Sequence, residues 1–209
     1  MENKKCKICR RLGVKLFLKG EKCVSPKCPM VKRSYPPGQK GKRRRGPPSE
    51  YAKELAEKQK LKNWYNLRER QFKNYVKKVL AERGKVEDAS SLLIKMLESR
   101  LDNVVFRLGF ATSRAQARQL VSHGFFLVNG KPINFPSHQL KKGDVISIKP
   151  KKIKKVIFKN LKNLIKKHKV PKWLKLDATK LEGEVIGEPT LEDVMPPVEL
   201  SSIFEFYSR

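Results

Sequence analysis

The spacing of apolar residues predicts helices in the first half of the chain. Between residues 50 and 83, apolar side chains recur at intervals of three and four, as on the buried face of a helix. The pattern changes phase near residues 66–69, so we predict two helices rather than one. Ser49 is suited to cap the first helix, and Gly84 to end the second. A further apolar run at residues 92–97 leads into the next segment.

The next segment predicts a pair of helices with different surfaces. Apolar residues at i, i+3, i+4 and i+7 from Leu101 onwards predict a buried helical face that ends at Gly109. Thr112 or Ser113 can then cap a second helix, residues 114–123, whose free N–H groups would attract phosphate. The side chains expected to pack inward from this second helix are Ala115, Leu120 and Val121, and those expected to face outward are Arg114, Gln116, Arg118 and Gln119.

Short strands and a lysine-rich helix are predicted after this pair. Asn129-Gly130, between two apolar runs, predicts a β-hairpin turn, and Gly143-Asp144 predicts another turn before a strand. Residues 151–169 hold nine lysines and no acid, and their apolar positions predict one amphipathic helix with a cationic outer face. Strand-like runs follow at residues 184–186 and 203–207.

The net charge indicates a polyanionic partner. The 209 residues include 49 Lys and Arg against 20 Asp and Glu, a formal net charge of +29, while 39% hydrophobic residues are enough for folded domains. Nucleic acid is the first candidate, because cations placed on phosphates neutralise self-repulsion and release counterions. A membrane surface is the alternative, since the lysine-rich run would suit it. We expect no membrane partner, because no apolar run is long enough to span a bilayer and residues 1–11 have no apolar signal core.

Composition also varies along the chain. Residues 32–50 combine prolines, glycines and cations, which predicts an extended basic arm that contacts phosphate rather than a passive linker.

From Asp177 onwards, eight acidic residues stand against only Lys180 and Arg209. We expect this acidic end to fold against the basic body of the protein or to contact a protein neighbour.

All four cysteines lie near the start of the chain and predict a metal site. Cys6, Cys9, Cys23 and Cys28 are spaced C-x2-C-x13-C-x4-C, which suits tetrahedral binding of one structural zinc ion. Neighbouring lysines and arginines should favour the thiolate form. An iron–sulfur cluster uses the same ligands and stays open as an alternative. Disulfides are disfavoured, since a nucleic-acid partner implies a reducing compartment.

A series of longer motifs, in order, narrows the family. Besides the four-cysteine start and the terminal FEFYSR, they are YPPGQKG at 35–41, EKQKLKNWY at 57–65, RQFKNY at 70–75, ESRLDNVVFRLGFATSRAQARQLVSHG at 98–124, VNGK at 128–131 and PKWLKLD at 171–177. With these motifs the chain resembles, nearly end to end, the family of small-ribosomal-subunit protein four from bacterial-type ribosomes.

The resemblance implies an α+β fold. It consists of a helical N-terminal domain with the four-cysteine metal site, plus an inserted RNA-binding domain of two helices and a β-hairpin. The implied divisions are a four-cysteine segment at 1–31, the basic arm at 32–50, a helical domain at 51–97 completed by 172–209, and the inserted domain with its lysine-rich helix at 98–171.

The resemblance also implies a structural, non-enzymatic role in the small ribosomal subunit of the cytoplasm. Such a protein is a primary rRNA-binding protein that grips a multi-helix junction in the 5′ domain of small-subunit rRNA and nucleates assembly. It would lie near the path by which mRNA enters, with a role in translational accuracy, and its acidic C-terminal segment would contact ribosomal protein five of the same subunit. The implied RNA contacts are Ser113, Arg114, Gln116, Arg118, Gln119, His123 and Lys131 in the inserted domain and Gln39, Lys40, Lys42, Arg43, Arg44 and Arg45 in the arm, with Arg43 to Arg45 nearest to mRNA.

Two other functions compete with this one. An RNA-modifying enzyme with the same binding domain would need a catalytic domain, and neither flank offers an acid/base pair or nucleophile in a recognisable setting. A zinc-dependent DNA-binding regulator would read base edges in the major groove. The resemblance instead implies recognition of RNA shape and phosphates.

Overall fold

The chain folds into one unit of helices and a second unit of helices and an antiparallel sheet. The computed structural model describes residues 4–39, 41, 46–82, 88–158, 161, 165 and 168–208. Unit 1 comprises residues 1–93 and 195–209, and unit 2 comprises residues 94–194.

Unit 1 is helical throughout its described elements. Its helices are α1 (Lys4–Leu12), α2 (Glu21–Val24), α3 (Pro29–Lys32), α4 (Glu50–Trp64), α5 (Glu69–Ala81), the first half of α6 (Ala89–Glu98) and, near the C-terminus, α11 (Leu200–Ser208).

The two helices predicted between residues 50 and 83 are confirmed as α4 and α5. The Ser49 hydroxyl accepts the Ala52 N–H at 3.3 Å and so caps α4 as predicted. Asn66, with a left-handed φ of 55°, lies in the break between the helices, which explains the change of apolar phase. Gly84, the predicted end of α5, lies outside the described residues.

The strand predicted at residues 203–207 is wrong, because this run forms α11. Ile203 is fully buried, and the Tyr207 ring lies 6.2 Å from the Phe72 ring of α5. The Phe206 ring lies 5.6 Å from that of Tyr51 in α4. Aromatic composition favours a strand, but packing against two helices overrides that weak preference.

Unit 2 joins short helices to a five-stranded sheet. The order is β2-β1-β3-β5-β4, and every neighbouring pair is antiparallel. The elements are α7 (Leu101–Arg107), α8 (Arg114–Ser122), β1 (Phe126–Val128), β2 (Lys131–Pro132), β3 (Val145–Ile148), α9 (Pro150–Ile153), a 3₁₀ turn (Val156–Phe158), β4 (Leu174–Asp177), β5 (Glu182–Val185) and α10 (Leu191–Val194).

The predicted helix pair and hairpin are confirmed. Ser113, rather than Thr112, caps α8 by accepting the Gln116 N–H at 3.3 Å. Asn129 and Gly130 both have positive φ, 50° and 75°, as a two-residue hairpin turn requires. Val128 and Lys131 then pair across that turn.

The inward face of α8 differs in one residue from the prediction. Ala117 is fully buried with Leu120 and Val121, whereas Ala115 is only half-buried. These three side chains join the core between the α7–α8 pair and the sheet.

The single helix predicted at residues 151–169 is corrected. Helix α9 ends at Ile153, and a separate 3₁₀ turn follows. Val156 and Ile157 are 75% and 50% exposed, so they do not continue a buried stripe. Phe158 is instead turned inward against Phe125, with ring centroids 5.8 Å apart, and this contact interrupts the helical repeat.

The returning segment also differs from the prediction, which assigned residues 172–209 to the helical domain. Strands β4 and β5 pair with each other, and β5 pairs with β3, so residues 174–185 extend the sheet of unit 2. Of the returning segment 172–209, only residues 195–209 belong to unit 1. Among the described residues, none of the helices is long and apolar enough to cross a membrane.

Candidate RNA-binding surface

Two buried carboxylates, Glu98 and Asp102, organise the arginines at the start of unit 2. Glu98 ends α6 and Asp102 lies in the first turn of α7, with 0% and 4% exposure. Arg100 donates to Asp102 through Nε (3.0 Å) and Nη2 (2.7 Å). Arg107 donates in the same two-point manner to Glu98, at 3.0 and 2.8 Å. Each buried carboxylate is therefore paired, which burial of a charge requires.

Arg114 lies in this network rather than on the outer face of α8, which corrects the prediction that it faces outward. Its side chain is 9% exposed, and its Nε donates to Oδ1 of Asn103 at 2.8 Å. The guanidinium lies 4.7 Å from the centre of the Phe106 ring and 3.9 Å from Glu98. Asn103 in turn donates to the Glu98 carboxylate at 2.6 Å. Arg114 is thus a residue that positions its neighbours.

Arg118 is the more accessible arginine of α8. Its side chain is 31% exposed, and one guanidinium nitrogen lies 3.6 Å from Asp102. Four arginines surround two carboxylates in this group, which leaves a formal excess of two positive charges. That excess lies beside the N-terminal half of α8, where phosphate is also favoured by the helix. We call Glu98, Arg100, Asp102, Asn103, Arg107, Arg114 and Arg118 the arginine–carboxylate cluster.

Ser113 and Gln116 form the cap of α8. Ser113 is 8% exposed, and its hydroxyl accepts the Gln116 N–H. The Gln116 side-chain oxygen reaches back to accept the N–H and hydroxyl of Thr112, at 2.8 and 2.7 Å. These reciprocal bonds satisfy N–H groups that a helix start leaves open. Both predicted contacts therefore have a structural role as well.

The remaining predicted contacts of unit 2 are exposed. Gln119 projects from α8, His123 is the residue that follows this helix, and Lys131 lies on the edge strand β2.

In the arm, Gln39 is exposed next to the turn closed by the Gly41 N–H and the Gly38 carbonyl (3.2 Å). The other predicted arm contacts, Lys40, Lys42, Arg43, Arg44 and Arg45, lie outside the described residues.

The acidic members of the cluster were not predicted from the sequence. Glu98 and Asp102 lie in the run ESRLD, which also contains Ser99 and Arg100, and the chain passes from α6 to α7 between them. Helical spacing therefore does not predict that the two acids lie together, or that Arg107 is a partner.

The predicted zinc site is corrected. Within the part of the chain that the structure describes, no three or more His, Cys, Asp or Glu side chains form a group that could hold a metal ion. All four cysteines are free thiols that border one small cavity with Leu18 and Met30. Burial raises the pKa of the Cys9 thiol, which favours S–H over the thiolate that zinc or iron needs. The buried Cys9, Cys23 and Cys28 pack as small apolar groups, and no metal site is assigned within the residues that the structure describes.

A second polar cluster lies in unit 1, where Glu69 of α5 joins α4 to α11. Its carboxylate accepts from Lys58 (2.7 Å), Lys62 (3.0 Å) and the Tyr207 hydroxyl (2.9 Å). Burial alone would raise the pKa of Glu69, but these hydrogen bonds outweigh it and lower the pKa to about 2. Burial and the neighbouring Glu69 raise the pKa of Tyr207. Helix α11 is thus joined to α4 and α5 of its own unit through Tyr207 and Glu69.

Comparison with known proteins assigns the family. Residues 1–98 match the Ribosomal protein S4/S9 N-terminal domain, and residues 99–146 match the S4 domain. The small ribosomal subunit protein uS4 of Thermus thermophilus is 47% identical over 204 residues, which cover 98% of this chain and 96% of the relative. The uS4 proteins of Halothermothrix orenii and Caldicellulosiruptor saccharolyticus are 48% and 49% identical over the same shares. The chain therefore belongs to the family of small ribosomal subunit protein uS4.

Proposed function

We propose that this protein is a structural constituent of the small ribosomal subunit and a primary binder of its rRNA. The observation that carries the proposal is the near full-length likeness to uS4 proteins, 47% identity over 98% of the chain. The net charge of +29 supports a polyanionic partner. Membership in a family of ribosomal proteins argues against the RNA-modifying enzyme and the DNA-binding regulator.

The RNA contact of unit 2 is proposed to lie on the exposed side of α8 and on β2. Arg118, Gln119, His123 and Lys131 would touch RNA directly. Arg114, with 9% exposure, would hold the cluster in place beneath them. The ligand is proposed to be a multi-helix junction in the 5′ domain of the rRNA, and its binding would nucleate subunit assembly. Proteins recognise folded RNA mainly by its shape and its phosphates.

Two further contacts are proposed outside the inserted domain. The arm, with Gln39 and the cations up to Arg45, would contact rRNA and lie near the path by which mRNA enters, where it would influence translational accuracy. The acidic C-terminal segment, from Asp177 onwards, would meet ribosomal protein five, and it includes helix α11, whose Glu205 is exposed. The attachment of α11 through Tyr207 and Glu69 supports this, because a docking helix has to be held in one position.

A filter-binding comparison tests the main proposal. The full chain is titrated against a 5′-domain fragment of small-subunit rRNA and against duplex DNA of equal length, at several salt concentrations. We expect the rRNA to bind more tightly, with affinity that falls steeply as salt rises. Equal affinity for the two nucleic acids would contradict the proposal. A nearly flat salt dependence would exclude the basic surfaces as phosphate contacts.

A further inference from the structure

Among the described residues of unit 2, Phe135 is the one exposed Phe, Tyr or Trp side chain. Its ring is 68% exposed, and it belongs to the loop that joins β2 to β3. The other Phe and Trp rings of this part of the chain are buried, except Phe106, which is partly buried and packs against the core. The Phe135 ring is therefore available to a partner outside the protein.

The start of α7 fixes the loop that carries Phe135. The Leu101 N–H donates to the His138 carbonyl at 2.8 Å, and the His138 N–H donates to the Phe135 carbonyl at 3.1 Å. The Asp102 N–H donates to the Pro136 carbonyl at 3.2 Å. The loop carbonyls thus satisfy N–H groups that a helix start leaves open. Because the loop caps α7, its backbone holds the Phe135 ring in one exposed place.

The loop is joined to the arginine–carboxylate cluster. Asp102, which donates its N–H to Pro136, has its carboxylate 3.6 Å from a guanidinium nitrogen of Arg118. Lys131 of β2 precedes Phe135 by four residues. Arg118 and Lys131 are both proposed RNA contacts. The exposed ring is therefore continuous with the proposed RNA-binding surface of unit 2.

The surroundings of the ring favour a nucleobase over a protein neighbour. Asn134 and Ser137, on either side of Phe135 and Pro136, are polar and exposed, so the loop presents a single ring rather than an apolar patch. Unpaired bases of RNA stack on single aromatic side chains, whereas bases inside a double helix are already stacked on each other. Every base has a flat face, so this contact tolerates different sequences.

We propose that Phe135 stacks on an unpaired base of the rRNA, while the neighbouring cations hold the phosphates. The inference rests on the proposed rRNA-binding function and adds to it a contact that requires an unpaired nucleotide. Because the ring carries no charge, its contribution to affinity is distinct from that of the arginines and lysines.

Substitutions at Phe135 test the stacking with the full chain and the 5′-domain rRNA fragment. Phe135→Ala should bind about tenfold more weakly, with an unchanged slope of log K against log salt because no charge is lost. Phe135→Leu keeps apolar volume without the aromatic face and should bind nearly as weakly, whereas Phe135→Tyr should keep the original affinity. Ile186→Ala removes another exposed apolar side chain of unit 2 and should change affinity by less than about twofold.

A fully paired RNA of equal length separates stacking from general attraction. The unmodified protein and Phe135→Ala should bind it equally, because it offers no unpaired base. Phe135→Trp keeps an aromatic face and adds a fluorescent reporter in the folded protein. Relative to the unmodified protein, its additional emission should be quenched by the rRNA fragment and not by the paired RNA.

Three results would overturn the stacking. They are full affinity of Phe135→Leu for the fragment, an equal loss of affinity for paired RNA in Phe135→Ala, and an absence of quenching in Phe135→Trp. Unchanged binding of the fragment by Phe135→Ala would also contradict it and would leave the ring to a protein neighbour. Failure of the unmodified protein to prefer rRNA over duplex DNA would instead reject the proposed function itself.

Discussion

Arg107 and Glu98 are nine residues apart and form a two-point ion pair inside unit 2, with N–O distances of 3.0 and 2.8 Å. The Glu98 side chain has no exposure, whereas the Arg107 side chain is 18% exposed. The pair joins the end of α6 to the last turn of α7. The same carboxylate also accepts from Asn103, which holds Arg114. Glu98 is therefore the anion on which the arginine arrangement of α7 and α8 depends.

The substitution Glu98→Gln should destabilise unit 2 by about 3–5 kcal/mol, because it leaves the largely enclosed guanidinium groups of Arg107 and Arg114 without their buried carboxylate. Trp173 reports on unit 2 and Trp64 on unit 1, so a Trp64→Phe background makes denaturant unfolding of unit 2 visible by fluorescence. Glu188→Gln removes an exposed ion pair to Lys95 and should cost less than about 1 kcal/mol. Similar destabilisation in both variants would contradict the role of Glu98.

The substitution Arg114→Lys should lower the stability of unit 2 by about 1–3 kcal/mol, since an ammonium group cannot reproduce the bond to Asn103 and the stacking on Phe106 together. Gln119→Ala, on the exposed side of the same helix, should change stability by less than about 0.5 kcal/mol. Denaturant unfolding measures both. If Arg114→Lys left the denaturant midpoint unchanged but weakened rRNA binding, Arg114 would have to contact RNA directly.

Acid should weaken unit 1 through Glu69. The pKa of Glu69 is lowered from 4.5 to about 2, so its ion pairs stabilise the folded protein above about pH 4.5 and are lost as the pH falls towards 2. Glu69→Gln should therefore lower stability at neutral pH, by about 0.5–1 kcal/mol because the side chain is 45% exposed. It should also flatten the dependence on pH between 2 and 4.5. Glu205→Gln on the exposed side of α11 is the control, and an unchanged acid profile in Glu69→Gln would reject the interpretation.

Gly183 of β5 is required by the close approach of Leu108. A Cβ at this position would lie 2.4 Å from a Leu108 methyl carbon, and the Leu108 side chain is fully buried and cannot move aside freely. Gly183→Ala should destabilise unit 2 by about 1–3 kcal/mol through overpacking. Gly46→Ala, where a Cβ meets no atom within 4 Å, should change stability by less than about 0.5 kcal/mol. Equal melting temperatures for the two variants would show that the sheet accommodates the added methyl group without loss of stability.

Features set by neighbouring residues were predictable from the sequence. The caps at Ser49 and Ser113 follow from side chains that bond the next turn of their own helix. The hairpin at Asn129-Gly130 follows from residues that tolerate positive φ. Each of these depends on atoms within four residues, so one stretch of sequence contains the whole cause.

Features that depend on distant residues were not predictable. Arg114 faces inward because Glu98 and Asn103 lie beneath it, although its position on α8 suits an outward cation. The run at residues 203–207 is a helix because α4 and α5 offer it a surface, although its composition suits a strand. Residues 174–185 extend the sheet because β3 leaves an edge for β5.

The order of caps, turns and apolar repeats along the chain was sufficient for the pair of helices before the hairpin, whereas the α+β class was implied by the family resemblance. The count of charges was sufficient for a polyanionic partner. Tertiary structure alone decided which cations are exposed and which form ion pairs with carboxylates of the same protein. The physical reason is that a buried carboxylate such as Glu98 binds whichever guanidinium groups the fold brings to it, and Arg114 is one of them.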